Sequence, residues 1–140
     1  MSPSADAPTL ILFAHGARDP QWDAPLHRIA AAIRERSPGQ QVTMAFLGLR
    51  APTLDTCVET LVADGHRSLL IVPIFVANSG HLIREMPPLI DALQTRFPQV
   101  QIALADAVGE AEPVVQAIAT HALSLLLTSE TTLANDSLGP

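Results

Sequence analysis

One cysteine, no lysine and no long hydrophobic run: these scarcities narrow what the chain can be. A lone Cys57 excludes a disulfide framework and any cysteine-based metal cluster. It falls in a helical pattern, where a free cysteine packs as a small hydrophobe. All eight positive side chains are arginine. Arginine is the better planar, bidentate partner for carboxylates, although a lysine-free chain equally reflects a GC-rich genome. A net charge of −6 excludes the basic face of a general nucleic-acid binder. The opening "MSPSADAP" has neither the basic nor the apolar region of a signal peptide. The longest apolar run, "LLIVPIFVA", is about half a membrane span and contains a proline. No membrane contact and a cytoplasmic location are therefore expected.

What remains is an ordinary globular composition: 140 residues, 48% hydrophobic and 16% charged, with a mean hydropathy of +0.28. That length predicts one domain with a real core. Residues 1–8 are expected to be a flexible N-terminus, 9–127 the single domain, and 128–140 a flexible tail, because "TSETTLANDSLGP" lacks apolar periodicity. Strands are expected over Thr9–Ala14, Gln41–Leu47, Ser68–Val76 and Val100–Ala105, all short and mostly apolar on both faces. Between them lie helical stripes. Trp22, Leu26, Ile29 and Ile33 follow an Asp19-Pro20 start, and Leu54, Val58, Leu61 and Val62 end at Gly65. Met86, Leu89, Ile90 and Leu93 form a third, which Pro87 and Pro88 should force to begin there, leaving the preceding residues as loop. Val114, Ile118, Ala122 and Leu125 form a fourth, opened by Glu112-Pro113.

Strict alternation of strand and helix implies an α/β fold: a doubly wound, mainly parallel four-stranded sheet with helices on both faces. No second copy of "HGARDP" marks an internal repeat. Ligands of such sheets bind beyond the carboxyl ends of the strands, where strand order reverses. With a flavodoxin-like order 2-1-3-4, that point lies between the first and third strands, and the loops after them are "HGARDP" and "ANSGHLIREMPP". Each carries a histidine and an arginine. His15 and His81 would then share one rim, with Arg18 and Arg84 beside them. Gly16 and Gly80, with Ser79, would let a ligand approach the backbone. His27 and His66 read as solvated, and His121 as a half-buried residue at the edge of the core.

Two imidazoles suit a borderline-soft divalent metal, but they fall short of the four ligands of a closed structural zinc site. Such an incomplete site fits an exchangeable ion. Imidazoles also titrate near neutral pH and could accept protons from a substrate being metallated. Arg18, Arg84 and Arg50 would favour a carboxylate-bearing substrate.

Three stretches, "LILFAHGARDP", "AFLGLRAPTLDTCVETL" and "VPIFVANSGHLIREMPPLI", together resemble the motif blocks of the small CbiX-type class II chelatases, from residue 9 to about 125. The resemblance implies a chelatase-like α/β fold, a homodimer whose halves mimic a longer enzyme, and insertion of Co, Fe or Ni into sirohydrochlorin on cobalamin- or siroheme-type pathways. That reaction makes the protein a lyase with no permanent cofactor, the divalent metal being substrate. The family's two active-site histidines match His15 and His81. Glu85 stands where the family has Asp and could reach the metal. The second block departs from the family form, with Gly48 and Ala51 where carboxylates are expected. Neither can hold an ion or relay a proton, which leaves a non-catalytic tetrapyrrole or metal carrier as the alternative. A histidine phosphatase is a third possibility on "AHGAR", but Ala14 replaces the arginine its motif requires before the histidine.

Overall fold

A computed structural model describes residues 7–16, 19–48 and 50–137 of the chain, with the backbone alone described at 20, 22, 81 and 129–137. Residues 1–6, Arg18 and 138–140 lie outside it, as does the side chain of Trp22.

Four parallel strands, β1 (Thr9–His15), β2 (Val42–Leu47), β3 (Ser68–Pro73) and β4 (Gln101–Leu104), form one sheet in the order β2-β1-β3-β4. The expected order is thus observed. Strand β1 is central, pairing Leu10 with Val42 on one side and with Leu70 on the other. Its Ile11, Leu12 and Phe13 are at most 2% exposed, so β1 is covered on both faces. Helix α1 (Ala24–Arg36) packs Leu26 and Ala30 onto Leu12, Val42 and Phe46. On the other face, α2 (Leu54–Ala63) and α3 (Gly80–Arg96) pack Leu54, Val58, Leu82, Met86 and Leu93 onto Ile11, Phe13, Leu69 and Ile71.

Several elements differ from the sequence reading. Strand β3 ends at Pro73, not at Val76, because proline cannot donate to the ladder. The Asp19-Pro20 start opens a 3₁₀ turn, Pro20–Asp23, ahead of α1, with Asp19 accepting from the Gln21 N–H. Helix α3 begins at Gly80 and runs through Pro87 and Pro88. Those prolines leave the carbonyls of Ile83 and Arg84 without helical donors, but Pro87 and Pro88 are exposed and water can reach that side. The opposite side keeps one unbroken stripe of Leu82, Met86 and Leu93 in the core. Ser79 fixes the true start, its hydroxyl accepting from the Leu82 N–H at 3.2 Å.

Helix α4 (Glu112–Ser137) passes Thr128 and continues for nine more residues, so backbone hydrogen bonding persists where apolar periodicity stops. Its expected stripe does not reach the sheet: Ile118 is 51% and Leu125 50% exposed. His121 is exposed with it, where a core edge was expected. His66, expected to be solvated, is half-buried and bonds Thr9 Oγ1 through Nδ1 at 2.9 Å. His27 is exposed as expected.

Cys57 is 5% exposed in the α2 core, and burial pushes its thiol from 9.0 up to about 11. The unfolded chain therefore loses this proton first as pH rises, and stability should fall between about pH 9 and 11. Below that window a thiol reagent should label the native chain on the order of 10²-fold more slowly than the denatured chain, the ratio of their thiolate fractions.

Candidate active site

His15 is the last residue of β1, so a central strand of the sheet ends in an imidazole. The ring is exposed and stands edge-on to Phe75, 4.8 Å between centroids at 80°. Phe75 in turn meets Phe13 edge-to-face at 6.1 Å. Among the described residues no hydrogen bond engages the His15 ring nitrogens, which leaves both for a ligand. His15, Leu47, Phe75, Ala77, Ser79 and Leu82 line a cleft of about 230 Å³.

Ser79 caps α3 at this cleft, Gly80 is the first helical residue and His81 the second. The fold thus brings the backbone of His81 to the rim where His15 sits; its side chain lies outside the described residues. Arg84 does not line the cleft. It is exposed and folds back along α3, its Nε donating to the Gly80 carbonyl at 3.2 Å. Glu85 is also exposed on α3. Arg50 is committed elsewhere: it pairs with buried Asp23 and lies over the Phe46 ring at 5.4 Å. Gly16 is required beside it, since a Cβ there would collide with the Arg50 side chain. Gly48 adopts φ +87°, and Ala51 is exposed. The described loop after β2 therefore presents no carboxylate, and the described residues hold no group of three histidine, cysteine or acidic side chains placed to share a metal.

Two residues of the site were not legible in the sequence. Phe75 orients the imidazole, and Asn78 holds the loop that carries Phe75. The Asn78 backbone N–H donates to Glu110 Oε1 at 3.0 Å, and its side-chain oxygen accepts from the Ala107 N–H at 2.9 Å. The Gly109 N–H adds a bond to the Phe75 carbonyl at 3.0 Å. These partners lie about 30 positions apart in the chain, beyond any local pattern. Asn78→Ala would orphan the Ala107 N–H, which is buried with its residue 1% exposed. Urea unfolding should show a loss of about 1–3 kcal/mol.

Fold and rim together define an open parallel α/β domain whose cleft, beyond the two central strands, presents an imidazole. Residues 9–124 match the profile of the CbiX family, and the chain belongs to that family. A cobalamin (vitamin B12) biosynthesis CbiX protein from Marinobacter aquaeolei VT8 superposes with a TM-score of 0.75 at 30% identity, over 89% of this chain and 99% of that one. The sirohydrochlorin chelatase SirB of Bacillus subtilis, solved in complex with cobalt, shares the fold at a TM-score of 0.69 and 21% identity, over 84% of this chain and 50% of SirB. In sequence, the sirohydrochlorin cobaltochelatase of Methanococcus aeolicus is 26% identical over 61% of this chain and 59% of its own length. The sirohydrochlorin ferrochelatase of B. subtilis is 31% identical over 58% of this chain and 30% of its own length. The chain thus spans about three-fifths of the former and under a third of the latter. Among the described residues no helix is long and apolar enough to cross a membrane.

Proposed function

We propose that the chain inserts a divalent metal, Co, Fe or Ni, into sirohydrochlorin or a related carboxylate-rich tetrapyrrole. The observation that carries this reading is an exposed imidazole whose ring nitrogens meet no hydrogen-bond partner among the described residues, on the end of the central strand, in a chain of the CbiX family. Metallation replaces two pyrrole protons with one M²⁺, so the site must deliver an ion and remove two protons. His15 and His81 each hold the incoming ion through one ring nitrogen; as the ion passes into the macrocycle those lone pairs are freed, and each takes one pyrrole proton before passing it to water. Glu85 assists at the metal, and Ser79, Gly80 and Gly16 border the macrocycle. Arg18 meets its acetates and propionates, and Arg84 joins it by swinging off the Gly80 carbonyl. The metal is substrate, and nothing else need be bound.

A cleft of about 230 Å³ lies below the ~300 Å³ at which small-molecule pockets begin. A macrocycle therefore needs a second wall, and a homodimer supplies it. The reaction takes place in the cytoplasm, where these soluble precursors are made.

The absence of carboxylates in the described loop after β2 favours a second reading, a carrier that binds tetrapyrrole or metal without accelerating insertion. One assay separates the two. Sirohydrochlorin is mixed with Co²⁺, Fe²⁺ or Ni²⁺, and metallation is followed in the visible spectrum. Acceleration over the uncatalysed rate supports the enzyme; a binding shift without acceleration for any ion supports the carrier.

A further inference from the structure

The cleft beside His15 does not stop at Leu82. That buried side chain also walls a second hollow, of about 220 Å³, beyond the ends of β3 and β4. Its floor is Pro73 and Leu104, each the last residue of its strand, with Met86 of α3 against them. Alternation along β3 puts Pro73 on the face of Leu69 and Ile71, beneath α3. Each hollow alone lies under the ~300 Å³ at which small-molecule pockets begin, and the two together exceed it. One segment lines both: Phe75, Ala77 and Ser79 border the first, and Asn78 the second. An occupant of the second hollow would therefore sit against the same segment that sets Phe75 beside His15.

The two hollows differ in charge. The first holds an imidazole, whereas the second holds the exposed carboxylate of Asp106, whose Oδ1 accepts from Asn78 Nδ2 at 3.4 Å. Glu110 reaches the same residue through the Asn78 backbone N–H. Among the described residues that line the second hollow none is basic. A carboxylate entering there would meet Asp106 with no cation to offset it, and like charges brought together are penalised. The floor of proline, leucine and methionine suits alkyl groups instead, and Ile83, 61% exposed, extends that apolar surface.

We propose that the hollow beyond Leu82 is a subsite for an uncharged, alkyl-bearing edge of the macrocycle. Asp106 is its specificity-determining residue: it turns carboxylates away, so the acid-bearing edges stay on the side of His15. Asp106 thus sets which way round the ring lies when it meets the imidazole. This rests on the tetrapyrrole reading above and extends the floor of the cleft, leaving the facing wall to a second copy.

The test needs no metal. Metal-free sirohydrochlorin is titrated into the full chain and binding is followed in the visible spectrum. Asp106→Arg should tighten binding about tenfold, because attraction then replaces repulsion at one carboxylate, and Asp106→Asn should move it less in the same direction. Asp64→Arg makes the same change in net charge at an exposed residue ending α2, by the opposite end of the sheet, and should change nothing. Leu104→Trp should fill the hollow and weaken binding at least about tenfold; Ile83→Trp is a second filling variant should the first fold poorly. Equal affinities for Asp106→Arg and Asp64→Arg, or wild-type affinity in both tryptophan variants, would overturn the subsite and leave metal insertion standing. A wild-type chain that binds no sirohydrochlorin would overturn both. Binding that follows the expected pattern without any acceleration of metallation would uphold the subsite in a carrier.

Discussion

Alanine at His15 should slow metal insertion into sirohydrochlorin by about 10²–10⁴-fold, the range removed with a general base. The loss should appear in the visible-spectrum assay and not in stability. His15 is exposed at the end of its strand, and exposed substitutions away from special features usually shift stability by less than about 0.5 kcal/mol. On the proposed roles, His81→Ala should also lose acceleration, since each imidazole is assigned one proton. Each single loss should therefore cost nearly the whole acceleration, as in groups that act as a unit. Wild-type rates in either variant would place the proton acceptor elsewhere. A smaller loss is expected for Phe75→Leu, which keeps bulk beside the imidazole but removes the edge-on ring contact.

The largest expected effect on stability falls at Gly109, in the 3₁₀ turn Val108–Glu110. A Cβ there would land on the Val76 carbonyl, backbone against backbone, where no rotamer change relieves the clash. Gly109→Ala should cost about 3 kcal/mol, the upper end for overpacking, or a fall in Tm of roughly 10 °C for a chain of this size. Gly39→Ala is the matching control. Its backbone is left-handed, φ +91°, but open space surrounds it, so it should lose only about 1–2 kcal/mol. Gly109→Ala should also depress insertion, because pushing Val76 away breaks the Gly109–Phe75 bond that seats the ring against His15. Equal melting temperatures for the two variants would show that the Val76 segment yields freely.

Strand order could be read because each strand is a short run apolar on both faces and each is followed by a helical stripe. Only a parallel sheet satisfies both. The place of His15 followed from that order, and so did the rim it shares with the start of α3. What escaped was decided by solvent or by distant chain. Pro87 and Pro88 break helices where their orphaned carbonyls are buried, and sequence alone does not say that these face water. The stripe on α4 is real as periodicity, but periodicity names no partner, and Ile118 and Leu125 stay half-exposed instead of reaching the chain's own sheet. His66 reads as a turn residue until β1 brings Thr9 beside it. Arg50 reads as free charge until the fold sets Asp23 against it.

The left-handed backbone at Gly48 bears on how an acidic loop could be built here. A glutamate at 48 would have to adopt φ near +87°, at a cost of about 1–2 kcal/mol, so a carboxylate cannot simply be placed there. Ala51 carries no such penalty: it is exposed, and among the described residues none other than glycine has positive φ. Of the two positions, Ala51 is thus the open one: an Ala51→Glu chain would carry its carboxylate three positions downstream of Gly48.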